Sequence, residues 1–243
     1  MPAPAVPLAQ RVRTVSPALS VGILTADLTA LGAALRVLEQ AGAPFVHFDV
    51  MDGRFCPMHT FGPPIVKACR TSLIKDVHLL IEEPLDKLES FVAAGADMIT
   101  LHLEACRHPH RALQALRTMT NANDSARGIL RGVALNPGTP VESVQPLLDE
   151  TDMVFLLAVN PGWGGQKFID ATGRRMERLR ELICQSQRDI LMGLDGGITK
   201  DNVGDAVRMG ADIIVTGSAV FDGKDAAANY RQMAQTVREA RKA

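Results

Sequence analysis

Eight short β-branched apolar runs alternate with eight longer segments of helical period along 243 residues, and no linker interrupts them. That alternation predicts an α/β chain with a parallel sheet, closed into a single (β/α)8 TIM barrel. Eight units within residues 16–243 suit a barrel of the usual ~250 residues better than a doubly wound sheet followed by another domain.

The strands are read in order as "LSVGIL", "FVHFDV", "KDVHLLI", "DMITLHLE", "RGVALNP", "MVFLLAVN", "ILMGLDG" and "DIIVTGSAV". The helices between and after them fall near residues 27–41, 63–72, 84–94, 109–121, 140–149, 170–187, 200–209 and 225–241, where apolar residues recur every three or four positions. At "EQAGAPFVHF", "VAAGADMITL" and "VRMGADIIVT" a helix ends on Gly42, Gly95 or Gly210 and a strand resumes, because glycine takes the left-handed C-cap conformation without a side-chain penalty. Residues 1–15, rich in Pro and Ala with two Arg and no acidic residue, are expected to be a disordered extension. They lack the continuous apolar region of a secretory signal, and their composition is compatible with an organelle-targeting leader.

Composition narrows the function classes. With 26 basic and 27 acidic residues the chain has no cationic surplus for nucleic acid. Charged residues or Pro interrupt every apolar run well short of the ~20 residues a membrane helix requires. Cys56, Cys69, Cys106 and Cys184 are widely spaced with no CxxC pair, which disfavours a zinc finger or a disulfide scaffold and reads as reduced packing residues. The expected compartment is the cytoplasm.

In a TIM barrel the chemistry sits where the C-terminal ends of the strands meet their loops. In "VHFDVMDG", His47 and Asp49 are two positions apart and so share one face of a strand, with Val46, Phe48 and Val50 on the other. His78 stands in the third strand and Asp195 ends the seventh. Two imidazoles and two carboxylates aimed into the barrel mouth suit one divalent ion, zinc foremost, with iron, manganese or cobalt also compatible. The alternative is a purely structural network, since burying four titratable groups without either would carry a large desolvation cost. Three glycine-bearing loops, Gly162–Trp163–Gly164–Gly165, Gly196–Gly197 and Gly217–Ser218, follow the last three strands, where barrels commonly bind phosphate through backbone N–H groups.

These residues resemble the ribulose-phosphate 3-epimerase family over roughly residues 19 to 223, through "HFDVMDGRFCP", "TFGPP", "DVHLLIEEP", "GADMITLHLEA", "VALNPGTP", "NPGWGGQKFI", "DGGI" and "GADIIVTGSAVF" in the family's order. The resemblance implies that His47, Asp49, His78 and Asp195 bind the metal and that Asp49 and Asp195 are the two proton-transfer residues. It also implies substrate or phosphate contacts from His78, Gly162 to Gly165, Gly196, Gly197, Gly217 and Ser218, a phosphorylated ketose as substrate, and a homo-oligomer. Inverting a carbon beside a carbonyl requires one acid/base group on each face of the substrate, the role the resemblance gives to the two Asp.

The likeness departs at the pocket. Gly22 stands where the family carries a substrate-binding serine, and Thr25 is a partial substitute at best. Met51 is kept among the residues covering the metal, while Leu80 and Leu157 replace methionines, giving a less adaptable lining. These changes keep open a ketose phosphate other than ribulose 5-phosphate, such as allulose 6-phosphate or a tetrulose phosphate. Related barrels that decarboxylate or perform aldol chemistry use Asp-x-Lys-x-x-Asp on one strand, and "DVMDG" supplies no lysine. A non-catalytic sugar-phosphate-binding barrel is disfavoured because every expected ligand is present. His102 is read as a supporting or structural residue, His59 as a loop residue or substrate contact, His108 and His110 as surface residues, Asp52 as an organiser of its turn and Asp27 as a helix cap.

Overall fold

The computed structural model describes residues 7–242. Eight parallel strands close in chain order: β1 (Ala18–Gly22), β2 (Phe45–Met51), β3 (Ile74–Leu80), β4 (Met98–His102), β5 (Leu130–Leu135), β6 (Met153–Leu157), β7 (Leu191–Asp195) and β8 (Ile213–Thr216), with β8 pairing back onto β1. The expected TIM barrel is the observed fold. Helices α2 (Leu31–Ala41), α3 (Pro63–Ala68), α4 (Leu88–Ala93), α5 (Pro109–Thr118), α6 (Thr172–Ser186), α7 (Val203–Arg208) and α8 (Ala226–Ala240) supply the outer layer. Among the described residues no helix is long and apolar enough to cross a membrane.

Period two in the strands sorts their side chains between two cores. Val46, Phe48, Val77, Leu79, Ile99, Val133, Val154 and Ile214 face outward against the helices. Phe45, Ile74, Met98, Leu130, Met153, Phe155, Leu191 and Ile213 fill the barrel interior. Packing inside is close enough to require glycine at position 193, where a Cβ would stand 2.4 Å from the Phe155 ring.

The N-terminal extension is where expectation and structure part. Residues 8–15, read as disordered, form helix α1 (Leu8–Val15), which buries Leu8 and Val12 against the first residues of the strands and stoppers the barrel floor. The reason is a pair of apolar residues four positions apart on one face, the spacing of a helix rather than a tail. Arg13 ties α1 to the β7 approach through Asp189 at 2.8 Å. Residues 1–6 of that expected extension lie outside the described residues.

The crossover from β5 to β6, read as an ordinary helix over 140–149, is a 3-10 helix, Val141–Glu150, with Pro146 inside it. Proline has no N–H to donate and clashes with the carbonyl four residues back, so an α-helical run across it is disfavoured. The helix read over 27–41 opens instead with a 3-10 turn, Leu28–Ala30. Asp27 caps that turn by accepting from Thr29 N at 2.9 Å, the role read for it.

Candidate active site at the barrel mouth

Inward-facing positions at the C-terminal ends of β2, β3 and β7 place His47, Asp49, His78 and Asp195 together, each offering one ligand atom within 4.8 Å of all the others. His47 and His78 are buried, while Asp49 and Asp195 reach the open mouth. The close pairs are His47 Nε2 to Asp49 Oδ1 at 3.2 Å, His78 Nδ1 to Asp195 Oδ2 at 3.3 Å and His78 Nδ1 to Asp49 Oδ1 at 3.5 Å. Ligand atoms on ~2.0–2.1 Å bonds in a tetrahedral site stand about 3.3 Å apart, so these separations match neighbouring corners around one cation. His78 Nδ1 is buried and has no hydrogen-bond partner among the described residues. A buried ring nitrogen left without a hydrogen-bond partner and facing two carboxylates is placed as a cation ligand would be, and the donor set therefore fits a divalent ion.

Supporting groups orient each member. His47 Nδ1 lies 2.8 Å from Asp76 Oδ2, which also accepts from Ser20 Oγ at 2.8 Å. His78 Nε2 lies 2.9 Å from His102 Nε2, and His102 Nδ1 lies 3.2 Å from Glu104 Oε2. The Thr60 hydroxyl accepts from Met51 N at 2.9 Å and donates to the Asp49 carbonyl, bracing the end of β2 on both sides of Val50. The Asp195 carbonyl accepts from Ala158 N at 2.7 Å, which ties the end of β7 to the β6 loop.

Electrostatics separate the histidines. Burial opposes a charge on His47, but Asp76 and Asp49 outweigh it and raise its pKa well above the ordinary imidazole value. Burial likewise works against charge on His78, and Asp195 and Asp49 again win, raising it. Burial pushes the Asp49 carboxyl up, yet His47 and His78 hold it well below the usual carboxylate range. His102 goes the other way: burial drives it down to about 4, leaving a neutral ring. Glu104, despite its burial, is held down to about 2 by His102, Thr139 and Asn136 N.

The glycine loops cluster at the same rim. Gly196 has φ of 105°, and a Cβ there would meet Val159 of the β6 loop at 2.4 Å. At Gly197 it would meet Phe168 N at 2.8 Å, and at Gly217 it would meet Thr25 Oγ1 and Gly22 O at 3.0 and 3.1 Å. Gln166 knits the β6 loop by accepting from Asn160 N at 3.1 Å and donating to Trp163 O at 2.8 Å. The N–H groups of Gly164, Gly165, Gly197 and Ser218 have no acceptor among the described residues. Trp163 is 61% exposed over this loop. Leu80 and Leu157 are buried at inward positions and Met51 is half-buried at the end of β2.

The sequence model of the Ribulose-phosphate 3 epimerase family matches residues 18–221. The chain belongs to that family. It is an epimerase, hence an isomerase: it is 41% identical to the Ribulose-phosphate 3-epimerase of Bacillus subtilis over 206 residues, 84% of this chain and 91% of that one. It is 44% identical to the enzyme of the same name from Rhodobacter capsulatus, over 83% of this chain and 84% of that one. Among solved structures it resembles KGPDC from Streptococcus mutans, with a TM-score of 0.68 at 14% identity over 92% of this chain and 98% of that one. It also resembles 3-hexulose-6-phosphate synthase from Salmonella typhimurium, with a TM-score of 0.61 at 18% identity over 92% and 99%. At such identities these two show the shared fold alone.

Three residues that brace this candidate site escaped the sequence reading: Asp76, Glu104 and Thr60. Asp76 precedes His78 by two, and Glu104 follows His102 by two, so the period that exposed His47 and Asp49 could have found both. His59 is exposed and bridges to Asp52 across the loop, which makes it a loop residue. Asp52 accepts from Arg54 N and Phe55 N at 3.0 and 3.1 Å and from Glu82 N at 2.9 Å, organising two loops at once.

Proposed function

We propose that this epimerase interconverts D-ribulose 5-phosphate and D-xylulose 5-phosphate by two-base proton transfer at C3, using one divalent ion held by His47, Asp49, His78 and Asp195. The observation that carries the reading is the convergence of those four side chains from three strands, two of them carboxylates that reach the mouth from separate walls. One carboxylate removes the C3 proton from one face, and the other returns a proton to the opposite face. Asp49 and Asp195 suit this because β2 and β7 are separated around the barrel by β1 and β8 on one side and β3 to β6 on the other. When bound, the ion supplies Lewis-acid stabilisation of the enediolate oxygens, worth several kcal/mol, and zinc suits the mixed N/O donor set. The substrate phosphate is assigned to the N–H groups of the loops at Gly162–Gly165, Gly196–Gly197 and Gly217–Ser218, with Trp163 beside it. Met51, Leu80 and Leu157 line the apolar side.

The test follows deuterium from solvent into C3 of ribulose 5-phosphate with metal-analysed protein. Wild type should wash the label in and epimerise. Asp195→Asn should lose net epimerisation, and near-normal turnover by that variant would refute the two-base assignment. A panel of ketose phosphates of different chain length settles the substrate, and a more than tenfold preference for a non-pentose would displace ribulose 5-phosphate.

A further inference from the structure

The nitrogen of His78 that faces Asp49 and Asp195 is Nδ1; its other nitrogen points toward the end of β4, 2.9 Å from His102 Nε2, with the two ring planes only 17° apart. His102 is fully buried, its ring covered by Phe55 at 4.7 Å. Beyond it stands Glu104. One Glu104 oxygen lies 3.2 Å from His102 Nδ1, and the other accepts from Asn136 N at 2.7 Å and from the Thr139 hydroxyl. Arg175, donating to Asn136 O at 2.8 Å, Thr139 O at 3.1 Å and Leu157 O at 3.3 Å, holds the loop that supplies those donors.

Geometry favours one proton arrangement along this row, because buried His78 Nδ1 makes no hydrogen bond among the described residues while its Nε2 meets His102. An ionised carboxylate accepts and cannot donate, so His102 must carry its hydrogen on Nδ1, toward Glu104. With its one hydrogen on Nδ1, the His102 ring presents a lone pair at Nε2 toward His78. Two nitrogens 2.9 Å apart share a single proton, so that proton belongs to His78 Nε2. In the neutral ring that a cation would bind, the His78 lone pair is then left on Nδ1, between Asp49 and Asp195.

We propose that His102 and Glu104 are positioning residues that fix His78 in its Nε2–H form and so present Nδ1 as a ready ligand for a divalent cation. The inference rests on the metal reading above and extends it by two residues beyond the ligand set. Partners of this kind orient a ligating imidazole and raise its basicity, and their loss typically costs about 10- to 100-fold in metal affinity. A glutamine at position 104 would have nearly the same shape, but its amide can donate to His102 Nδ1. The arrangement could then reverse, placing a hydrogen on His78 Nδ1 where the cation belongs.

The experiment titrates the full-length, metal-stripped protein with Co2+ against a chromophoric chelator and records the visible absorption of the bound ion. Glu104→Gln should weaken Co2+ binding about 10- to 100-fold and alter the spectrum, and Glu104→Asp, which still offers only acceptors, should recover most of the loss. Unchanged affinity and spectrum in Glu104→Gln, or equal damage from both replacements, would overturn the proposal. A variant that fails to fold leaves the decision to wild type: in the zinc-loaded protein, long-range 1H–15N spectra of the imidazoles should show His102 protonated at Nδ1 and bare at Nε2, and the opposite pattern would overturn it. Wild-type protein that binds no Co2+ would instead remove the metal reading itself.

Discussion

His47 and His78 are held by different means, and the contrast shows what a single residue contributes. His47 leans on a carboxylate, Asp76, that is itself fixed by Ser20; His78 leans on a neutral imidazole that a carboxylate orients from one step further back. The candidate quartet was legible because strand periodicity brings i and i+2 to one face, and each member lies in an unmistakable apolar run. The bracing residues were harder to read, since a carboxylate two positions from a histidine acquires meaning only when a neighbouring strand sets the register, as Asp76 gains it by pairing with His47. Gly22 sits at that same level of β1, paired with His47 in the ladder. Its φ of −68° is open to any residue, and a Cβ would lie in ordinary contact, 3.7 Å from Gly217 Cα and 3.8 Å from Thr216 O. Gly22→Ser should therefore fold as well as wild type. If the added hydroxyl reaches the sugar, kcat/KM for ribulose 5-phosphate rises roughly fivefold, the worth of a ~1 kcal/mol hydrogen bond. Steady-state kinetics with an unchanged kcat/KM would show that the hydroxyl makes no contact.

At the scale of elements, the sequence was most readable where a period ran long and least where a segment was short. Helices α6 and α8, at 15 residues each, carry their apolar stripes over four turns and were placed within a few residues. Helix α1 has only eight residues and two buried side chains, and its Pro- and Ala-rich surroundings masked the i, i+4 pair. Burying Leu8 and Val12 is worth about 1.5–3 kcal/mol each, ample reason for the segment to order once the barrel floor exists to receive it. The packing of α8 offers a direct spectroscopic check. Tyr230, the single tyrosine of the chain, is buried in α8 with its hydroxyl donating to Gly42 O at 3.4 Å, and burial pushes its phenol up to about 12 against a small opposing pull from Arg238. The neutral phenol is the form the fold favours, so stability from this group is intact below pH 10 and declines as pH rises from 10 toward 12, where the unfolded chain ionises first. Tyrosinate absorbance should accordingly titrate near 12 in native protein and near 10 in denaturant. Coincident curves would mean that the α8 contact with the α2 C-terminus is open to water.

The whole molecule joins these pieces because the candidate ligand set belongs to no single element. Alternation of strand and helix announced a parallel sheet, and length favoured closure, but the pairing of β1 with β8 spans nearly the whole chain and no local pattern encodes it. Closure is what brings Asp195 of β7 to within 4.8 Å of a ligand atom on β2. A cation bound there would cross-link strands from both halves of the sequence and favour the closed barrel over the unfolded chain. An ion at 100 times its Kd adds about 2.7 kcal/mol to the native state. At roughly 2–4 °C per kcal/mol for a chain of this size, the thermal midpoint of metal-stripped protein should rise by about 5–10 °C on adding saturating Zn2+ or Co2+. Mg2+ at equal concentration should do far less, because it favours an octahedral oxygen shell and two of the four donors here are imidazoles. His78→Ala removes a ligand from the centre of the set and should abolish the Zn2+ shift while leaving the apo barrel folded. Scanning calorimetry decides the matter: a wild-type midpoint that does not move with Zn2+ or Co2+, or a shift that survives in His78→Ala, would show that the quartet is not where the ion binds.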